Sequence, residues 1–302
     1  MAKTISLSSA AERIRAGGVV AFPTETVYGL GANALDAAAV ARIFELKGRP
    51  STSPLIVHVS SIDMARRYVT EWPDQAEELA RRYWPGPLTM VLPKSSEIPD
   101  VVTAGLPTVG IRVPGHPVAL ELIRLAGVPI AAPSANRFTQ LSPTTADHVV
   151  QQFGDAVEVL DGGPTDVGIE STVVSLIDGK LTLLRPGMIS LGEIEQAATP
   201  SGAHPAPGMH ERHYSPRTRL LLITSAAELP DRSGGYVWWN KSESTARSVP
   251  MPADPGAYAA RLYAVLHQLD DEHWPWIAVE APPDTPEWAA ILDRLRRACS
   301  RG

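Results

Sequence analysis

The stretch STVVSLIDGKLTLLR, residues 171–185, decides the fold class. Two runs rich in Val, Leu and Thr flank Asp178-Gly179. Asp-Gly supplies the positive-φ positions of a tight hairpin turn, so the segment reads as an antiparallel β-hairpin. Everything upstream alternates strand with helix. VVAF (19–22), LIVHV (55–59), LTMVLP (88–93), VGIRV (109–113) and PIAA (129–132) read as strands. Ser9 and Glu12 form a capping-box pattern for a short helix that stops at Gly17-Gly18. Asp36 caps a helix running to Leu46, with Val40, Ile43 and Phe44 on its apolar face. Further helices are expected over 73–84, over 118–127 and from Thr144 or Thr145 to Phe153. Parallel crossovers combined with a hairpin predict an α/β fold on an open, twisted, mixed sheet.

Downstream, ATPSGAHPAPGMHERHYSPR (198–217) gathers Pro, Gly and His and reads as a linker. It divides the chain into a domain over 1–197 and a second over 218–302. The tail reads strand 219–223, strand 236–239, helix 256–269, strand 276–280 and helix 285–299, a small Rossmann-like α/β unit. Trp238, Trp239, Trp274, Trp276 and Trp288 all lie there.

Composition narrows the function classes. The chain has 302 residues, 44% hydrophobic and 20% charged, which suits a folded protein and excludes a disordered or collagen-like one. No apolar run reaches the ~18 residues a membrane span needs. The first residues carry no apolar segment with a cleavage site, so a cytoplasmic location is expected. Cys299 alone cannot form an internal disulfide or a thiolate zinc site. A net charge of −6 argues against broad binding to RNA, which needs a basic surface. The 28 prolines exceed the usual ~5%.

Several loops could carry chemistry. PTETVYGLGAN (23–33) lies between a strand and a helix, with hydroxyls and backbone N–H groups available to a ligand. It lacks the GKS or GKT of a Walker loop and the glycine spacing of a dinucleotide fingerprint. It also reads as a plain connection. KGRP (47–50) follows a helix C-terminus, where its cations could simply serve the dipole. Arg112 lies inside a strand and Arg185 at a strand end, and cations in apolar settings need anionic partners. Glu25 and Glu170 could supply them internally, or a polyanionic substrate could. PSAN (133–136) offers a hydroxyl and an amide at a strand's C-terminal end, where open α/β sheets bind ligands. It has no G-x-S-x-G elbow, so Ser134 is not read as a nucleophile. His58 sits mid-strand, a place that also suits an ordinary core histidine. His204, His210 and His213 suggest a metal, but their Pro-rich setting without cysteine argues against one.

PTETVYGLGAN, KGRPSTSPLIVHV, GPLTMVLP, VGIRVPGHP, AAPSAN, SPTTA, GIESTVVSL and LRPGMIS occur in this order. Together they resemble the threonylcarbamoyl-AMP synthase family in its two-domain form, and PGMHERHYSPR resembles that form's linker. The resemblance implies synthesis of L-threonylcarbamoyl-AMP and pyrophosphate from L-threonine, bicarbonate and ATP with Mg²⁺. It also implies passage of the product to tRNA threonylcarbamoyl-transferase proteins, which act on tRNAs reading codons that begin with A. The metal would arrive with ATP, with no protein ligand assigned to it. Direct binding of tRNA is not expected. By the same resemblance, Lys47, Arg49, Ser134 and Asn136 would hold the phosphates and the carbamate. Ser53, Ser142, Arg185 and Tyr214 would contact ATP. Thr26, Tyr28, His58, Arg112 and Ser171 would surround threonine or its carbamate. Residues 205–217 would form a lid. The sequence departs from the family pattern at Ser53, at Phe138-Thr139, at Ala206 and at Ser215. Two other readings compete: a carbamoyltransferase on the same fold, which lacks support from any Cys-x-x-Cys pair here, and an RNA-binding module.

Overall fold

The computed structural model describes residues 4–50, 52–191 and 213–299. Nine strands make the first sheet: β1 (Val20–Phe22), β2 (Gly29–Asn33), β3 (Ile56–His58), β4 (Leu88–Pro93), β5 (Thr108–Arg112), β6 (Ile130–Ala131), β7 (Glu158–Val159), β8 (Thr172–Ile177) and β9 (Lys180–Arg185). Their order is β7-β1-β2-β6-β3-β5-β4-β8-β9. Three pairs are parallel (β1 with β7, β3 with β5, β4 with β8) and the others antiparallel, so the sheet is mixed. The hairpin of β8 and β9 closes on Asp178 and Gly179, both at positive φ, as Asp-Gly chemistry requires.

Helices α1 (Leu7–Arg15), α2 (Ala37–Lys47), α3 (Ile62–Arg67), α4 (Asp74–Tyr83), α5 (Asp100–Thr103), α6 (Pro117–Ala126) and α7 (Ala146–Phe153) accompany this sheet. Asp36 caps α2 by accepting from the N–H groups of Ala38 and Ala39, and Gly48 ends it in the left-handed region. Thr145 caps α7. Helix α1 starts earlier than expected: Ser6, not Ser9, is its cap, accepting from the N–H of Ser9. The larger departure is β2. Residues 29–33, which the sequence places in the loop of 23–33, form a strand. Here glycine is what permits the strand. A Cβ on Gly31 would lie 2.6 Å from the Phe22 ring and 2.8 Å from Ile130.

The second sheet is parallel throughout, ordered β10 (Leu220–Ile223), β13 (Ile277–Glu280), β11 (Gly235–Trp238), β12 (Arg247–Pro250). Strand β12 was not anticipated; a proline and two polar residues disguise it. Helices α8 (Pro255–Asp271) and α9 (Ala289–Cys299) complete this unit. One apolar cluster joins Val27, Leu141 and Ile169 of the first unit to Leu262, Leu266, Ile291 and Leu295 of α8 and α9. Each such buried side chain contributes about 1.5–3 kcal/mol relative to exposure, so the two units share a core. At Gly168 the approach is so close that a Cβ would meet the Ala259 carbonyl oxygen at 2.4 Å. No helix among the described residues is long and apolar enough to cross a membrane. The linker from 198 to 212, including His204 and His210, lies outside the described residues.

Candidate active site

One cavity collects most of the charged and hydroxylic residues singled out in the sequence. Its lining includes Thr26, Arg49, His58, Arg112, Ser134, Ser171, Arg185 and Tyr214, with Glu170 and His213. The sheet explains the convergence. Parallel pairing of β3 and β5 sets His58 directly opposite Arg112. The loop after β6 carries Ser134, the turn between β1 and β2 carries Thr26, and Ser171 and Arg185 stand at the start of β8 and the end of β9. These segments come from adjacent strands of the mixed sheet and converge on the same cavity.

The cations are buried and differ in how they are held. Arg112 forms an ion pair with Glu25 at 2.7 Å and donates to Thr26 Oγ1 and to the Gly86 carbonyl. Burial alone would raise the Glu25 carboxyl, but Arg112 outweighs it and holds it below the ordinary value. Arg185 donates through Nε to the Ser171 carbonyl and through Nη2 to the Ser171 hydroxyl, 3.0 Å away. Ser171 Oγ also meets Thr89 Oγ1 at 2.8 Å. Arg49 donates to the Pro54 carbonyl, and its Nε has no hydrogen-bond partner among the described residues. Burial, with Arg185 close by, lowers the Arg49 pKa to about 10, still charged at neutral pH.

Lys47 does not line the cavity. Its Nζ donates to the carbonyls of Ser134, at 2.6 Å, and of Asn136. It therefore ties the PSAN loop to the end of α2. Burial and the Arg49 charge push its pKa well below the ordinary lysine value, with Glu170 opposing. Asn136 donates to the carbonyls of Arg137 and Gln140, holding the same loop from within. Tyr28 is likewise off the cavity; its hydroxyl donates to the Gly163 carbonyl and accepts from the Gly162 N–H. Ser53 is buried nearby in the chain but does not line the cavity. Ser142 is also set back, donating to Glu170 Oε1 at 2.5 Å.

Buried polar atoms of cavity-lining residues lack a hydrogen-bond partner among the described residues, Arg49 Nε, His58 Nδ1 and Tyr214 Oη among them. Buried polar groups are normally paired, so orphans clustered in one cavity mark a place for a polar ligand. Burial and the neighbouring Arg112 lower His58 to about 3, which makes it a neutral imidazole at physiological pH.

Tyr214 and His213 come from the far end of the linker and pack over the cavity. Ser215 N–H donates to the Thr139 carbonyl, and Ser215 Oγ to that of Ala298. The Phe138 ring stands edge-on to His213 at 6.3 Å. Residues 213–215 are thus held between the loop after PSAN and the end of α9. With them in place the cavity is only about 50 Å³. Sites for ligands of nucleotide size are typically ~300–1,000 Å³.

Sequence reasoning identified Glu25 and Glu170 as acids near these cations, and Glu25 does pair with Arg112. The partners of Glu170 were not legible. They are Tyr263 and Arg294, about a hundred residues further along, and no local pattern announces them.

Comparisons with known proteins identify the family and the fold. A family model described as Telomere recombination matches residues 12–187, and one described as Threonylcarbamoyl-AMP synthase, C-terminal domain, matches residues 188–300. The chain is 42% identical to the threonylcarbamoyl-AMP synthase of Pyrococcus abyssi, over 96% of this chain and 92% of that protein. It is 40% identical to the Bacillus subtilis threonylcarbamoyl-AMP synthase, over 97% and 92% respectively. The crystal structure of P. abyssi Sua5 complexed with L-threonine superposes with a TM-score of 0.91, at 39% identity, covering 97% of this chain and 94% of that one. On the strength of both domains, this chain belongs to the threonylcarbamoyl-AMP synthase family.

Proposed function

We propose that this chain makes L-threonylcarbamoyl-AMP and pyrophosphate from L-threonine, bicarbonate or CO₂, and ATP. The observation that carries the reading is the convergence of Arg49, Arg112 and Arg185 with the hydroxyls of Thr26, Ser134 and Ser171 on one cavity. The threonine complex of the P. abyssi relative supports threonine as the amino acid.

The chemistry asks for positioning and charge neutralisation. The threonine amine adds to CO₂ and gives a carbamate. A carbamate oxygen attacks the α-phosphorus, and pyrophosphate leaves. Every reactant except CO₂ brings negative charge, so preorganised cations supply the main stabilisation. Arg49 and Arg185 suit the phosphates, as forks that can engage two oxygens. Ser134 and Ser171 offer hydroxyls to the phosphates and to the carbamate respectively. Lys47 and Asn136 act by shaping the PSAN loop, and Ser53 and Ser142 stand behind the nucleotide. Thr26, His58 and Arg112 face threonine, with Tyr28 fixing the loop beyond them. Arg112 is already paired with Glu25, so it serves as a half-neutralised anchor.

Mg²⁺ enters as the ATP complex. The lining carboxylate, Glu170, is occupied by Ser142, Tyr263 and Arg294. Residues 1–197 form the catalytic unit in this reading, 198–217 a strap, and 218–302 the C-terminal unit. Tyr214 and His213 must swing aside for ATP to enter, which makes the strap a lid. The adenylate then passes to tRNA-modifying partner proteins, and the net charge of −6 fits an enzyme that leaves tRNA to them.

The test is an assay with ATP, Mg²⁺, bicarbonate and one amino acid at a time. Pyrophosphate release should require threonine and should accompany a threonylcarbamoyl adenylate. Release that ignores the omission of threonine would reject the reading.

A further inference from the structure

Glu170 is the one carboxylate among the described residues that line the cavity. A carboxylate beside a triphosphate repels it, and it can also capture the arginines meant for the phosphates. Here its oxygens are taken. Ser142 Oγ donates to Oε1. Oε2 accepts from Tyr263 Oη at 3.2 Å and from Arg294 Nε at 2.8 Å. Tyr263 belongs to α8 and Arg294 to α9, both in the C-terminal unit. The Arg294 side chain is 0% exposed. Its Nη1 pairs with Asp293, which has Arg297 as a second partner, and its guanidinium lies 5.3 Å over the Tyr214 ring. Removing Arg294 would therefore leave one acid, Glu170, buried without its cation.

We propose that Arg294 is a positioning residue of the nucleotide site. It holds and neutralises Glu170 from the second domain, so that the carboxylate neither repels ATP phosphates nor competes with them for Arg49. The C-terminal unit then contributes to substrate binding without touching substrate, which accounts for its shared core with the catalytic unit. The inference rests on the assignment of this cavity to ATP.

A charge-rescue comparison tests it, read as the ATP dissociation constant by titration calorimetry with Mg²⁺ on the full chain. Arg294→Met keeps the side-chain length and removes the charge. It should weaken ATP binding about tenfold or more. Glu170→Gln placed in the same chain removes the stranded charge. The double variant should bind ATP within about threefold of Glu170→Gln alone. A merely structural contact predicts no such rescue. Equal affinities for Arg294→Met and the double variant, or wild-type affinity for Arg294→Met, would overturn the proposal. Should Arg294→Met not fold, Tyr263→Phe carries the same comparison. It removes one donor from Glu170 at nearly constant shape, and about threefold weakening, cancelled by Glu170→Gln, is expected; no weakening or no cancellation overturns the proposal. Failure of the wild-type chain to release pyrophosphate with threonine would instead reject the reaction, and the dissociation constants would still decide the role of Arg294.

Discussion

His148 of α7 and His267 of α8 stack face to face across the boundary between the two units. Their ring centroids are 3.9 Å apart and their planes differ by 17°. His267 Nε2 donates to the Ser142 carbonyl, which fixes its tautomer, and Thr144 N–H donates to His148 Nδ1. Burial lowers both, His148 to about 3 with help from the His267 charge and His267 to about 4. Asp270, Asp271, Asp147 and Arg217 are the charged groups around them.

This stack makes docking pH-dependent. The folded values lie below the ordinary 6.5, so on acidification the unfolded chain binds protons first. Stability is whole above about pH 6.5 and declines as the pH falls toward about 4. Thermal melts should show a midpoint dropping between pH 7 and pH 5. His267→Phe keeps a stacking ring without a titrating group and should make that dependence shallower, with His148 and His58 still contributing. An unchanged slope in the variant would remove the stack as its source.

Lys47→Ala should lose catalysis and some stability together. It strands two buried carbonyls, of Ser134 and Asn136, each costing about 1–3 kcal/mol. Activity should fall about a hundredfold, because the loop that Lys47 braces carries Ser134, and misplacing a positioning group by about an ångström has that cost. Arg49→Ala should lose activity to a similar degree with a smaller change in denaturation midpoint. Arg49→Lys should not restore it, because an ammonium cannot reproduce the fork. Normal turnover in these variants would sink the assignment of the phosphate site.

His58 should leave no trace in the pH–rate profile. With a pKa near 3 it stays neutral from pH 5 to pH 8 and acts as a hydrogen-bonding imidazole. His58→Ala should raise KM for threonine while the profile keeps its shape. An acid limb near pH 6 that disappears in His58→Ala would show a titrating role.

Tyr214→Phe should separate binding from stability. The Tyr214 hydroxyl is buried without a hydrogen-bond partner among the described residues. Its removal should leave the melting temperature unchanged or raise it slightly, since an unpaired buried hydroxyl costs about 1–3 kcal/mol. If the hydroxyl awaits a ligand, ATP affinity should fall about threefold to tenfold. Wild-type affinity would reduce the strap to a tether.

Gly168→Ala should undock the two units. Gly168 has φ +77°, and a Cβ would lie 2.5 Å from Ala260 Cα as well as against the Ala259 carbonyl. The backbone cannot give way as a flexible side-chain tip could. A loss of roughly 2 kcal/mol or more is expected from strain and overpacking together. It should be visible as a lower midpoint or as two separate unfolding transitions. A single transition at the wild-type midpoint would contradict so close a contact.

Much of this was legible in the order of residues. Asp178-Gly179 dictated the hairpin, Asp36 the start of α2, and Thr144 or Thr145 that of α7, where the structure selects Thr145. These readings succeed because turn geometry and helix capping depend on neighbours in the chain. The misreading of Gly29–Asn33 as a loop has the opposite origin. Gly31 is required by Phe22 and Ile130, one nine residues before it and the other about a hundred after.

The sequence by itself determined the α/β class, the family and the set of residues able to handle an anionic substrate. Tertiary structure alone decided which of those residues face the cavity and which brace it. Lys47 and Tyr28 spend their polar groups away from the cavity, while the cavity-lining Arg49, His58 and Tyr214 keep an atom unpaired among the described residues. It also brought Arg294 onto Glu170, 124 positions apart in the chain. The physical reason is that a buried charge must find a partner wherever folding brings one within reach.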